Sequence, residues 1–134
     1  MTMVNPLAVI SAAQLAVHLT GARRGIRDRI PAELPFLRRK PDDVVKDMWV
    51  FGSGMAAPWP MLAAHLAGIL SLFGRARPWV PRAVGALGLF YLAGYLLERN
   101  VRDSFRRPDD RTVLHAVAIL LAAAMAVLGL TRSD

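Results

Sequence analysis

Polar side chains form two stripes within stretches of the sequence that are otherwise apolar. The stripes follow the spacing of one helix face: Ser11, Gln14 and His18 in the first, and Tyr91, Tyr95 and Glu98 in the second. Polar groups in an apolar environment need polar partners, so we expect the two stripes to face each other. Imidazole, phenol and carboxyl groups brought together can transfer protons, which indicates acid–base chemistry.

The elements that must position these residues are four apolar stretches: Val4–Ala22, Trp49–Gly74, Ala83–Leu97 and Thr112–Leu130. The hydrocarbon layer of a bilayer is about 30 Å thick and requires about 20 helical residues. The sequence therefore predicts an all-α integral membrane protein, an antiparallel bundle of four transmembrane helices within a single domain. The predicted helices cover about residues 4–22, 49–74, 83–99 and 112–130, with short interfacial elements in the first cytoplasmic loop.

Basic residues are confined to the connections between these stretches. Eight lie in residues 23–46, three in 75–82, five in 99–111 and one at Arg132. If both termini are non-cytoplasmic, thirteen face the cytoplasm and four face outward, which is the orientation that the positive-inside rule favours. We therefore predict a multi-pass protein of the cytoplasmic membrane. Anionic lipid head groups account for the net charge of +7, so we expect no nucleic-acid partner.

The second stretch contains an interruption. Gly52, Gly54, Pro58 and Pro60 are incompatible with a straight helix, because each proline removes a backbone hydrogen bond. Two arrangements remain open: a kinked or broken helix that lines a pocket, or a helix that begins near Pro58 after an interfacial segment. We predict that Gly52–Pro60 forms a wall of the pocket, with Trp49 or Trp59 packed over it and Met55 and Met61 lining it.

Three ionisable side chains are expected at the same depth. His18 lies five residues before Arg23, His115 lies four residues after Arg111, and Glu98 ends the third stretch. At about 1.5 Å per residue, each imidazole lies about 6–8 Å below the charged layer on the cytoplasmic side. We predict that His18 and Glu98 form a catalytic acid–base pair and that His115 orients them. The alternative is interfacial histidines bonded to neighbouring helices and a glutamate paired with Arg99.

A second set of side chains is predicted to bind the substrate: Gln14, Trp59, His65, Tyr91 and Tyr95. His65 lies deeper, towards the centre of the bilayer. Packing alone also explains the tyrosines, and a buried histidine with one backbone partner is an equally ordinary feature.

Three functions are compatible with these residues. The first is binding of a lipophilic small molecule in a polar intramembrane pocket near the cytoplasmic leaflet, followed by isomerisation or cyclisation through acid–base chemistry, without a cofactor or metal. The second is a non-catalytic subunit or assembly factor that docks on membrane protein partners, or on copies of itself, through alanine- and glycine-rich helix faces. The third is a membrane cytochrome with one haem b held by His18 and His115. The absence of cysteine excludes thiolate catalysis and iron–sulfur ligation by this sequence.

Overall fold

The computed structural model describes residues 5–74 and 77–131 and is mostly helical, with 71% of residues in helices. The helices within these ranges are α1 (Pro6–Arg27), α2 (Val44–Asp47), α3 (Trp59–Phe73), α4 (Val80–Leu97), α5 (Arg99–Arg106) and α6 (Thr112–Leu130). A short antiparallel hairpin of β1 (Glu33–Leu34) and β2 (Leu37–Arg38), followed by a 3-10 turn at Pro41–Asp43, precedes α2. Residue 4, where the first predicted helix begins, and Arg132 lie outside the described residues.

Two helices, α4 and α6, are long and apolar enough to cross a membrane. They have 18 and 19 residues, which at about 1.5 Å per residue gives a length of about 27–29 Å. The predicted boundaries of α6 are confirmed. Helix α3 is apolar but shorter, with 15 residues.

The predicted start of the second helix at Trp49 is wrong. The chain turns after Asp47, runs irregularly through residues 51–58, and becomes helical only at Trp59, with Pro58 as the N-cap. Gly52 has a φ of +77°, a conformation that glycine adopts without the strain of a side chain. This segment is therefore neither a kinked helix nor a continuous one, and α3 begins where the second of the two predicted arrangements places it.

Two other boundaries differ from the prediction because polar residues continue or restart a helix. Helix α1 extends past Ala22 to Arg27, and its last turn carries basic residues, which the dipole at a helix C-terminus favours. Glu98 adopts an extended conformation that ends α4, and the next residues form α5. We predicted a loop there, yet Val101 and Ser104 of α5 are buried.

Helices α4 and α6 pack in antiparallel fashion through glycine. A Cβ atom on Gly129 would lie 2.5 Å from the Cα atom of Gly85, and one on Gly88 would lie 2.6 Å from the Cβ atom of Met125. Such close approach of backbones is possible only without side chains. Gly85, Gly88 and Gly129 are thus used for packing within this chain.

Candidate functional site

A cavity of about 210 Å³ lies between the end of α1, the irregular segment before α3, and the second half of α4. Its walls are mostly apolar, and its polar side chains come from the predicted stripes except for Ser53, which lies in the irregular segment. The lining residues are His18, Ala32, Leu34, Phe51, Ser53, Gly54, Met55, Ala56, Ala57, Pro58, Met61, Phe90, Tyr91, Gly94, Tyr95 and Glu98. The predicted wall, including Met55 and Met61, is therefore present.

The irregular segment reaches α1 because α1 has glycine where they meet. A Cβ atom on Gly25 would lie 2.5 Å from the hydroxyl oxygen of Ser53, and one on Gly21 would collide with the carbonyl of Met55. This contact also brings the Ala57 N–H within 3.3 Å of the His18 Nδ1 atom. Close backbone approach, rather than a side-chain pair, thus joins the wall to the histidine.

Both ring nitrogens of His18 have partners, which determines its tautomer. The Ala57 N–H donates to Nδ1, so the proton of the neutral imidazole is on Nε2. The Nε2–H group then donates to the hydroxyl oxygen of Tyr95 at 2.9 Å. Gln14 donates its Nε2–H to the same oxygen at 3.4 Å. The predicted contact between the two stripes is thus present at His18, Gln14 and Tyr95.

His65 and Tyr91 form a second pair deeper in the bundle. The His65 Nε2–H group donates to the carbonyl oxygen of Ser11 at 2.9 Å, since a carbonyl can only accept. His65 Nδ1 therefore accepts the hydroxyl hydrogen of Tyr91 at 3.0 Å. The ring of Tyr91 lies between the two histidines, with its centroid 4.1 Å from that of His18 and 5.4 Å from that of His65.

Buried polar atoms in this cluster remain without a partner among the described residues. They include the hydroxyl oxygen of Ser11 and the Oε1 atom of Gln14, and both side chains are fully buried. Leaving a buried polar group unpaired costs about 1–3 kcal/mol. Unpaired buried polar groups are uncommon in native proteins, and a functional role of the side chain is one reason for their presence.

Glu98 faces the cavity from the end of α4. Its Oε1 atom accepts the Glu33 N–H at 2.8 Å and the Asn100 side-chain N–H at 2.7 Å. Burial raises the pKa of this carboxyl, and the hydrogen bonds from Asn100 and Glu33 partly oppose the rise. The Arg99 guanidinium pairs with other carboxylates: Nη1 lies 3.8 Å from Oε2 of Glu33, and Nε lies 3.5 Å from Oδ2 of Asp103. The alternative pairing of Arg99 with Glu98 is not formed. Glu98 is instead buried and accepts hydrogen bonds from Glu33 and Asn100.

Comparisons with known protein families, curated proteins and solved structures found no match. The cavity and its hydrogen bonds are therefore the basis for any functional inference.

His115 is not next to His18 and Glu98, contrary to our prediction. Its Nδ1–H group donates to the Ser104 hydroxyl oxygen at 2.9 Å, and that hydroxyl donates to the Val101 carbonyl. Helix α5 covers this face of α6. Because both nitrogens of His18 are engaged, a haem iron between His18 and His115 would have to displace the Ala57 or Tyr95 contact.

Trp59 lies outside the lining, although it was predicted to bind the substrate. Its backbone N–H donates to the Met48 carbonyl at 2.6 Å, and its side chain packs on the hydrophobic core. Trp49 is 65% exposed. Neither tryptophan lines the cavity.

Sequence reasoning missed several residues of the site. Asn100 and the backbone N–H of Glu33 hold Glu98, and Phe90 and Gly94 line the cavity. Phe90 and Gly94 each precede a stripe tyrosine by one residue, so helical geometry could have placed them at the edge of the polar face. Backbone donors have no comparable sequence signal.

Proposed function

We propose that this protein is an antiparallel bundle of four membrane-spanning helices whose cavity binds a lipophilic small molecule and changes it by acid–base chemistry of the isomerase or cyclase type. The observation that carries the proposal is the cavity itself, in which apolar walls surround Glu98, His18 and Tyr95. Binding sites for small molecules combine mostly apolar lining with a few placed polar groups.

The rim of the cavity supports a lipophilic ligand. Phe90 is 70% exposed, and its neighbour in the lining, Gly94, is also exposed. In a four-span bundle this surface of α4 faces lipid, so a molecule dissolved in the bilayer reaches the cavity without crossing water. The two most strongly basic connections, residues 23–46 and 99–111, lie at the same end of the proposed bundle as Glu98, and the positive-inside rule favours a cavity near the cytoplasmic leaflet.

Acid–base chemistry is supported by the state of Glu98. A carboxyl group with a raised pKa, held by two N–H donors at the edge of an apolar cavity, is a stronger base than an ordinary glutamate. The catalytic step that it would perform is removal of a proton from carbon or return of one to it.

The four-span arrangement predicts opposite locations for two exposed residues. Phe36 lies between β1 and β2, and Trp79 lies between α3 and α4; they are 76% and 61% exposed. The natural sequence has no cysteine, so the variants Phe36→Cys and Trp79→Cys each carry one thiol. We expect an impermeant maleimide to label position 79 in intact cells and position 36 only after permeabilisation. Labelling of both from one side would mean that α3 does not cross the membrane, and the four-span proposal would be wrong.

Gly94 provides a test of ligand binding. A Cβ atom there meets no protein atom within 4 Å, so Gly94→Leu fills the rim without a clash. We expect an organic extract of the purified variant to lose the lipophilic compound that the wild-type protein carries above the lipid background. Mass spectrometry of the extracts makes the comparison, with Gly94→Ala as the control that retains the compound. Equal extracts from wild type and Gly94→Leu would contradict the proposed binding site.

The subunit hypothesis has less support, because Gly85, Gly88 and Gly129 pack within the chain rather than on its surface. Purification with a stoichiometric membrane partner and without a bound small molecule would favour that hypothesis over the one proposed here.

A further inference from the structure

The hydroxyl group of Tyr95 has an unusual set of partners. Its oxygen accepts two hydrogen bonds, one from the His18 Nε2–H and one from the Gln14 Nε2–H. The backbone N–H of Ala57 donates to His18 Nδ1, so the proton of the neutral imidazole is on Nε2. Tyr95 therefore cannot donate to His18. Within residues 5–74 and 77–131, the hydroxyl hydrogen of Tyr95 therefore has no acceptor, and Tyr95 lines the cavity.

Tyr91 lines the same cavity but differs in this respect. Its hydroxyl hydrogen is donated to His65 Nδ1, because the other nitrogen of His65 donates to the Ser11 carbonyl. Two tyrosines one turn apart on α4 thus face one cavity, and only Tyr95 has a hydrogen to donate to a ligand.

We propose that the ligand is a lipophilic carbonyl compound whose oxygen accepts a hydrogen bond from Tyr95, with His18 and Gln14 as positioning residues that act through the tyrosine. This inference rests on the proposed function and specifies its substrate class. Two N–H donors on the phenol oxygen draw electron density from it and strengthen the O–H as a donor. A donor of this kind stabilises negative charge as it develops on a carbonyl oxygen.

The reaction that these groups support is enolisation. The Glu98 carboxylate removes a proton from the carbon next to the carbonyl, and the electron pair of that C–H bond forms a C=C bond. The carbonyl π pair moves to the oxygen, where the Tyr95 O–H stabilises it. Protonation at a conjugated carbon by the Glu98 carboxyl re-forms a C–H bond, regenerates the carbonyl and the carboxylate, and completes an isomerisation without any co-reactant.

β-Ionone, a membrane-soluble enone, is a suitable probe for the protein in nanodiscs. We expect the frequency of its carbonyl stretch to fall on binding to the wild-type protein. We also expect the hydrogens of the methyl group next to its carbonyl to exchange for deuterium in D₂O. Tyr95→Phe should abolish the shift and weaken binding about tenfold, the usual effect of losing one hydrogen bond to a ligand. Tyr91→Phe is the matched control, and it should keep the shift.

Variants of His18 and Glu98 distinguish the positioning of Tyr95 from proton transfer to the ligand. His18→Ala should reduce the shift without removing it, whereas His18→Gln should restore it, because an amide can accept from Ala57 and donate to Tyr95. Glu98→Gln should keep the shift and abolish the exchange.

The hydrocarbon n-butylbenzene, which has no acceptor, separates failure of this inference from failure of the proposed function. If it and β-ionone bind equally to wild type and Tyr95→Phe, with no carbonyl shift, the cavity remains a binding site but the carbonyl assignment is wrong. If the shift occurs without Glu98-dependent exchange, the assignment of Tyr95 stands and the acid–base chemistry is wrong. If neither compound binds, both the inference and the proposed binding site are rejected.

Discussion

Gly129→Leu is expected to unfold the bundle or to prevent its assembly in detergent. The new side chain would meet the backbone of α4, because a Cβ atom on Gly129 would lie 2.5 Å from the Cα atom of Gly85 and 2.5 Å from the carbonyl oxygen of Pro81. Backbone atoms in a packed helix cannot move aside as the end of a flexible side chain can. Overpacking costs about 1–3 kcal/mol even where side chains can adjust, so we expect a loss of about 3 kcal/mol or more.

Gly94→Leu is the matched control for this prediction. It makes the same substitution on the partner helix α4, at a position where a Cβ atom would meet no atom of another element within 4 Å. Unfolding in detergent, followed by circular dichroism, should show a large loss of stability for Gly129→Leu and no loss for Gly94→Leu. Equal stability of the two variants would mean that α4 and α6 do not pack through glycine. Together with the extraction experiment, the pair separates folding from ligand binding.

The contact between the two polar stripes could be predicted from spacing alone. Gln14 and His18 share one face of α1, Tyr91 and Tyr95 share one face of α4, and burial of polar groups requires that such faces meet. This inference needs only helix periodicity and the cost of unpaired polar groups. It does not depend on where each helix begins or ends.

The prediction that His115 orients His18 and Glu98 failed because residue spacing does not identify the neighbours of a side chain. Its distance in residues from Arg111 predicts a depth, but depth does not determine which neighbour the side chain faces. That neighbour is α5, a helix whose charged sequence resembles a loop and whose buried side is only Val101 and Ser104. Two buried residues in eight give too weak a period to be recognised.

The tautomer of His18 could not be predicted from the sequence either. It depends on a backbone N–H at Ala57, which every residue except proline supplies. Gly52, Gly54 and Pro58 indicated that this segment is irregular and in need of polar partners. They did not indicate which backbone group meets which side chain, and the assignment of Tyr95 as the donor to the ligand depends on that contact.

An ion pair with a buried carboxylate lies just before the irregular segment that forms the cavity wall. The carboxylate of Asp47 is 3% exposed and accepts two hydrogen bonds from Arg39, with Nε 2.9 Å from Oδ2 and an Nη atom 3.0 Å from Oδ1. The guanidinium carbon of Arg39 also lies 4.4 Å above the ring of Phe51, which lines the cavity. The backbone carbonyl oxygen of Asp47 accepts hydrogen bonds from the N–H groups of Phe51 and Gly52. The pair therefore connects the hairpin to the turn that leads into the irregular segment.

Arg39→Ala is expected to lower the free energy of unfolding clearly more than Arg27→Ala does, because removing Arg39 leaves the buried carboxylate of Asp47 without its opposite charge and its two donors. Arg27→Ala is the matched control: Arg27 also makes a bidentate pair, with Asp28, but the two side chains are 60% and 41% exposed, and solvent screens such a pair so that it contributes little to stability. Chemical denaturation in detergent gives both values. A double variant, Arg39→Met with Asp47→Leu, should recover most of the stability, since a buried ion pair can be replaced by apolar residues at little cost. Similar stability losses in Arg39→Ala and Arg27→Ala would show that the carboxylate of Asp47 remains hydrated and that this pair does not hold the wall of the cavity in place.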